Sequence, residues 1–545
     1  MTSRLNQKNK WNTALTVILT VLLAAFIGLV FYVNLSCNPE FYDGDMYSDI
    51  NYAKEAWKAK SLFPKTWSFG NQTYVVATPV VAALIYGITK NAITAMAIAS
   101  CIMTVLTVLT YDWMMKPVCR YNERTAGFLF TAAFILIKAH IALDDCGAQL
   151  LFTMASYYAC YVITAFLVYG CYIRIREKSF KKKSIPILLI SIGLSFGTGM
   201  QSLRQTVIMV LPLVAVELLL IIIDSVRTKK VTFTGSTAYA ALISVANISG
   251  VIAVKFIDYN QTTIYGNVSL KHSFSQVIST ARNSVCDMLE NLGVYYVPQT
   301  VVWVLKIALI GIILFAVALS IKDLAKNKCK QTTDFSIIML LLCGCLGVLF
   351  AALLTNMKIR PIYYIMIFPL LSVSVAFILR KAKNRFKSFL CILLILFVVS
   401  SITFKCVIAY KDINSGKSSA TPIYQAEEYI AKNGYDTVCS LFVFSGAEGI
   451  AVASRDNVKV LYFNKLDSGK VFTPIKYLCV KDAYKNIDSD KCLYLVNKTE
   501  FELYAEAAHN YEVEFEKVAE FGEQIVLCKA SDNLLVIADE AQKEN

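Results

Sequence analysis

FYDGDMYSDINYAKEAW, residues 41–57, places three aspartates (Asp43, Asp45 and Asp49) directly behind an apolar run, 14–35, long enough to cross a bilayer. Carboxylates beside a membrane surface either cap a solvated helix or carry chemistry, and the surrounding chain must decide which. Of the 545 residues 56% are hydrophobic and 17% are charged, and the mean hydropathy is +0.54. A soluble chain carries about a quarter charged residues, so the composition describes a membrane protein with several spans. The net charge of +14 sits in short clusters between apolar runs. That is the distribution of cytoplasmic loops, and it argues against nucleic acid as a partner.

Apolar runs of about 17–25 residues give eleven expected spans, near 13–35, 91–113, 126–142, 147–172, 185–201, 205–223, 236–256, 299–321, 335–354, 362–379 and 389–408. No A-x-A-like cleavage site follows the first run, which is expected to stay attached. With the N-terminus in the cytoplasm, the six inner segments (1–12, 114–125, 173–184, 224–235, 322–334 and 380–388) hold 24 Lys and Arg. The longer outer segments hold no more than half as many, which fixes the expected orientation. Residues 75–87, VVATPVVAALIYG, are too short to span and carry Pro79. They are expected to lie re-entrant or interfacial on the outer face.

The outer side then receives a first loop (36–90), a second long loop (257–298) and everything after Tyr410. In that tail TVCSLFVFS, VKVLYFN, CLYLVN and EQIVLC read as strands, and IYQAEEYIAKNG and TEFELYAEAAHNY as helices. The expected architecture is an α-helical polytopic membrane domain over 1–410 and a small α/β extracytoplasmic domain over 411–545. Of the 16 cysteines, Cys101, Cys160, Cys171, Cys343, Cys345 and Cys391 lie inside apolar runs and are expected to behave as small hydrophobes. None has zinc-like spacing, and the pairing of Cys439, Cys479, Cys492 and Cys528 stays open.

With that topology several ionisable groups converge on the outer face. Asp43, Asp45 and Asp49 follow the first span; Asp144 and Asp145, in HIALDDCGAQ with His140, join the third and fourth. Arg204, in GTGMQSLRQT, lies between the fifth and sixth, and Lys358 and Arg360, in NMKIRPIYY, join the ninth and tenth. Carboxylates and cations at one interface suit sugar transfer from a lipid phosphosugar. A carboxylate takes the proton of the attacking hydroxyl, and Arg or Lys stabilises the departing phosphate. The bland alternatives are helix capping by the aspartates, a solvated surface position for Asp49, snorkelling or ion pairing by Arg204, and an interfacial aromatic belt for Tyr363 and Tyr364. The sequons at Asn260 and Asn267 are weak signals, as are His272 and Arg282 as acceptor contacts.

The order of these parts resembles the GT-C class of integral-membrane glycosyltransferases, such as protein O-mannosyltransferases and bacterial polyprenyl-phosphate-sugar transferases. DGDMYSDINYAKEAWKAKSLFP matches the acidic motif and surface helix after the first span, with Tyr47 in its Y position. TPVVAALIYG matches a Pro-containing segment before the second span, Asp144 or Asp145 a second acidic position, and IRPIYYIMIFP a late turn into a span. Gly44 separates Asp43 from Asp45 where the class often has adjacent acids, so either is the expected base. The resemblance implies a polyprenyl-phosphate-linked hexose donor and an outer-face glycan, lipid or protein acceptor in the cell envelope. It also implies inversion, with Asp144, Asp145, Arg204, Arg360, Lys358 and Tyr47 binding substrate. A divalent metal ion is left open. A transporter or flippase for lipid-linked intermediates is the alternative. It expects charges buried mid-span, whereas here Glu217 stands near an inner end.

Overall fold

The computed structural model describes residues 2–138, 158–262, 269–270, 273–294, 298–326, 332–356, 360–416, 421–441, 446–463, 472–485, 487–532 and 534. Ten helices among them are long and apolar enough to cross a membrane: Trp11–Leu35, Ala92–Met115, Tyr158–Arg176, Lys182–Gln201, Thr206–Thr228, Gly235–Phe256, Gln299–Lys326, Thr333–Leu354, Pro361–Lys381 and Asn384–Asn414. They coincide with ten of the eleven expected spans. The remaining one, 126–142, begins as the helix Tyr121–Lys138, and its end lies outside the described residues.

Several of these helices are tied near their ends by ion pairs. Arg124 pairs with Asp112, Lys387 with Glu123 and Arg380 with Asp334. Arg176 bridges Glu217 at 3.1 Å and Asp224 at 2.8 Å. Glu217 also accepts from Tyr172 (2.5 Å), Ser236 (3.1 Å) and Thr237 (2.6 Å), so this buried carboxylate is paired as burial demands.

Outside the spans, the helix Gly44–Ala59 starts on an Asp43 N-cap and ends at Lys60 in the left-handed region, φ 51°. The Pro-containing segment forms the 12-residue helix Thr78–Thr89, about 18 Å at 1.5 Å per residue, well short of the roughly 30 Å hydrocarbon core. Pro79 sits in its first turn, where a missing N–H costs nothing.

Among the described residues there are eight short strands, in chain order β1 Trp67–Phe69, β2 Asn260–Gln261, β3 Thr437–Ser440, β4 Lys459–Tyr462, β5 Cys479–Val480, β6 Cys492–Asn497, β7 Phe515–Phe521 and β8 Ile525–Ala530. The C-terminal sheet runs β4-β3-β6-β8-β7, with β3 parallel to β4 and β6, and β8 antiparallel to β6 and β7. Alternate residues feed its two faces. Val438, Leu493, Leu495 and Leu527 pack with Ala426 and Ile430 of the helix Pro422–Lys432. Cys439, Tyr494, Val496 and Cys528 pack with Tyr504 and Ala508 of the helix Phe501–His509. The first of these helices stops before Gly434, φ 75°, as its sequence predicts. Cys439, Cys479, Cys492 and Cys528 are unbridged and three of them buried.

A second, small sheet runs β2-β1-β5. β1 comes from the segment after the first span, β2 from the segment before the helix Phe274–Glu290 and β5 from the C-terminal region, so one sheet laces together three separate pieces of chain.

Candidate active site

Around this lacing lies a cavity of about 980 Å³, at the upper end of the range for small-molecule sites. One wall is the helix Gly44–Ala59, which presents Gly44, Tyr47, Ser48, Asn51 and Lys54 to it, a single stripe at helical spacing. The far side of this helix, Ile50, Ala53 and Ala56, packs into the membrane-side core.

The three aspartates of the opening stretch take three different positions. Asp43 is the N-cap: its side chain accepts from the Met46 N–H at 2.8 Å, and it is 5% exposed. Asp45, in the first turn of the helix, is exposed and lines the cavity. Asp49, which the sequence left open between a helper role and a solvated surface position, is buried. Burial pushes its carboxyl well above the usual range; a hydrogen bond with Tyr74 opposes this, and the nearby Asp45 and Asp43 charges add to it. Four residues put Asp45 and Asp49 on neighbouring positions of one face, yet the turn between them carries Asp49 under Tyr74 and away from the opening.

Arg204 stands in the break between the helix Ile185–Gln201 and the next span. Its guanidinium donates to the Tyr158 hydroxyl at 2.9 Å and the Tyr363 hydroxyl at 3.0 Å, and lies 4.2 Å from the Tyr363 ring centre. Tyr363 therefore lines the cavity rather than only an interfacial belt, and Tyr364 is fully buried. Just before the break, Gln201 Oε1 accepts from the Val75 and Val76 N–H groups at 3.2 and 3.0 Å. Its Nε2 donates to the Tyr161 hydroxyl at 3.2 Å. Arg360 precedes the turn Pro361–Tyr364 and is exposed on the same cavity. That turn is pinned by the Asn291 amide donating to Pro361 O at 2.8 Å.

Asp45, Tyr47, Arg204 and Arg360 thus meet in one cavity. Asp43 supports it from behind. Asp144, Asp145, His140, Lys358, His272 and Asn267 lie outside the described residues. Arg282 is exposed on the helix Phe274–Glu290 and Asn260 sits in β2, neither in the lining. Among the described residues no three His, Cys, Asp or Glu side chains gather as a metal site would need.

The opposite wall comes from the C-terminal region: Asp456, Asn457, Lys459, Tyr462, Tyr477 and Tyr484 all line the cavity. Lys54 Nζ reaches both Asp456 oxygens, at 2.8 and 2.7 Å. Tyr47 enters the C-terminal core itself, and a Cβ on Gly44 would rest 3.7 Å from the Tyr462 ring. The sequence reading missed this wall; its one local signal is the turn-forming pair Arg455 and Asp456, both at positive φ.

No protein-family model matches the sequence, and no curated protein does. Among solved structures the chain is similar to ArnT from Cupriavidus metallidurans in the apo state, at TM-score 0.51 and 9% identity over 95% of this chain and 99% of that one. The fold is the GT-C membrane fold. A structure of the same ArnT bound to undecaprenyl phosphate aligns at TM-score 0.46 and 10% identity, covering 93% of this chain and 98% of that one. At such identities the likeness is one of fold. What the cavity between spans, loop helix and C-terminal sheet does must come from its own residues.

Proposed function

We propose that the chain is a membrane glycosyltransferase that moves a hexose from a polyprenyl-phosphate donor to a hydroxyl of an outer-face acceptor. The observation that carries this reading is the shared cavity of one exposed carboxylate, Asp45, and two guanidinium groups, Arg204 and Arg360. In the reaction Asp45 accepts the proton of the acceptor hydroxyl while its oxygen attacks the anomeric carbon. The bond from that carbon to the phosphate oxygen breaks on the opposite side, so the configuration inverts in a single displacement. The charge that develops on the departing polyprenyl phosphate is met by Arg204 and Arg360, and the Tyr158 and Tyr363 hydroxyls hold the Arg204 fork toward it. Asp45 rather than Asp43 is the base in this reading, because the Asp43 side chain is engaged in the cap. The orientation puts the N-terminus in the cytoplasm and the region from 411 onward outside, with the donor lipid drawn from the bilayer.

The test is transfer by purified protein in proteoliposomes supplied with polyprenyl-phosphate hexoses and candidate glycan, lipid and protein acceptors. Asp45→Asn is expected to lose about 10²–10⁴-fold in rate while still binding the donor lipid. Full transfer by Asp45→Asn, or movement of intact donor across the bilayer without transfer, overturns the reading.

A further inference from the structure

The span Thr206–Thr228 does not begin as an ordinary α-helix. Its first turn, Thr206–Val210, is π-helical, closed by the Leu211 N–H donating to Thr206 O, and such turns are rare. Pro212 is the cause. It stands in the first turn of the α-helix Leu211–Thr228, has no N–H for Ile208 O four residues before it, and crowds that carbonyl with its ring. Widening the turn relieves the crowding but leaves buried carbonyls to be satisfied. The fully buried Tyr169 hydroxyl meets that need, donating to Ile208 O at 3.2 Å and Met209 O at 3.3 Å. On the other side two glycines let the helix Thr333–Leu354 close on the turn. A Cβ on Gly347 would sit 2.7 Å from Val207 O, and one on Gly344 2.9 Å from Ile208 O.

The turn stands between the cavity and a fixed anchor. Arg204 lies just before it, and Val207 and Ile208 line the cavity. Beyond it, Glu217 is held by Tyr172, Ser236, Thr237 and Arg176. One residue of α-helix is about 100° of rotation and about 1.5 Å of rise. The extra residue that a π-turn takes up therefore swings Arg204 by about 100° relative to the Glu217 anchor. Tyr158, Tyr169 and Tyr172 belong to one helix, Tyr158–Arg176. The element that receives the guanidinium thus also braces the turn and the anchor. We propose that the π-turn aims Arg204 into the cavity, and that Tyr169 is a positioning residue of the phosphate site. Tyr169 lies behind the turn, outside the cavity lining, so it acts on a ligand only through Arg204. The inference rests on the glycosyltransferase reading for its ligand, a lipid phosphate, and deepens that reading by naming what sets the cation in place.

A double-variant cycle on the full chain in nanodiscs tests this, read as equilibrium binding of bare polyprenyl phosphate and, separately, as sugar transfer. Tyr169→Phe removes the hydroxyl and keeps the ring. It is expected to weaken lipid-phosphate binding by up to about tenfold, as loss of one neutral hydrogen bond predicts, and Arg204→Ala by more. The double variant should bind no more weakly than Arg204→Ala alone, because the two losses share one path; a role in general packing would make them add. Pro212→Ala returns the missing N–H to Ile208 O, so it should weaken binding without lowering the unfolding temperature, whereas a packing defect lowers both. Should Tyr169→Phe fail to fold, Pro212→Ala in the Arg204→Ala background makes the same comparison. Additive losses in the cycle, or wild-type binding by Tyr169→Phe, Pro212→Ala or Arg204→Ala, overturn the proposal. Coupled losses of binding in a chain that transfers no sugar leave the proposal standing and remove the glycosyltransferase reading; transfer with additive losses does the reverse.

Discussion

Gly199→Ala should damage the site from a distance. The helices Ile185–Gln201 and Gly235–Ala253 touch backbone to backbone: a Cβ on Gly199 would sit 2.1 Å from Asn247 O, and one on Gly250 2.1 Å from Phe196 O. Small residues are what permit such approaches between membrane helices. An ordinary carbon–oxygen contact is about 3.3–3.6 Å, so the added methyl must open this crossing by more than an ångström. Overpacking of that kind costs about 1–3 kcal/mol, against which alanine returns up to about 1 kcal/mol of helix propensity. Gly193, in the same helix, has nothing within 4 Å of its Cβ position, so Gly193→Ala receives the propensity gain alone and is the matched control. The crossing also carries the site. Asn247 donates to Ser195 O at 2.9 Å and accepts from Thr206 at 2.6 Å, and Gln201 and Arg204 follow directly. A shift near 1 Å at Arg204 is enough to cost about 10²-fold in rate. Thermal unfolding in one detergent and transfer assays on both variants measure the two effects. Gly199→Ala as stable and as active as Gly193→Ala would refute the reasoning.

Asp43→Ala should lower stability by about 1 kcal/mol through loss of the cap while Asp43→Asn, which still caps, is close to neutral; equal unfolding temperatures for the two would count against the cap. Asp49 is held protonated by burial, so the native state binds a proton that the unfolded chain has released. Stability therefore falls as pH rises from the ordinary carboxylate range toward the raised native pKa, by about 1.4 kcal/mol per unit. Asp49→Asn should flatten that slope above the ordinary carboxylate range, and an unaltered slope in thermal scans speaks against it. Cys286 is exposed on the helix Phe274–Glu290, which the proposed orientation puts outside, so a membrane-impermeant maleimide should label it on intact cells, and labelling confined to inverted vesicles would reverse the orientation.

How far the sequence reaches is clearest at 41–57. Hydropathy and charge depend on composition over twenty residues, so the ten spans were legible from the chain alone, and so was Gly434 as a helix end. The separate duties of Asp43, Asp45 and Asp49 were not. All three share a stretch of two turns, and which becomes cap, cavity carboxylate or buried acid depends on what covers each. The cover comes from far away: Tyr74 from beyond the loop helix, and Tyr462 and Asp456 from the last quarter of the chain. Local propensity carries no information about Lys54 meeting a partner 402 positions later.

That distance also bears on why the C-terminal region is present at all. The spans and the loop helix supply the carboxylate and the cations, but they leave the cavity open on one side. β5 pairs with β1, and the Thr262 hydroxyl, just after β2, donates to Lys476 O at 3.1 Å, so the region that closes the cavity is hydrogen-bonded to both loops at once. Tyr47, two residues after Asp45 in the same helix, is buried among Ala426, Val438 and Ile450 of that region. The helix bearing the proposed base is therefore gripped from two sides, by the membrane core through Ile50 and Ala53 and by the C-terminal core through Tyr47. A reaction that discharges a sugar onto a chosen hydroxyl must keep water from the same carbon. A wall held by three separate segments of chain meets that requirement better than a loop free to lift.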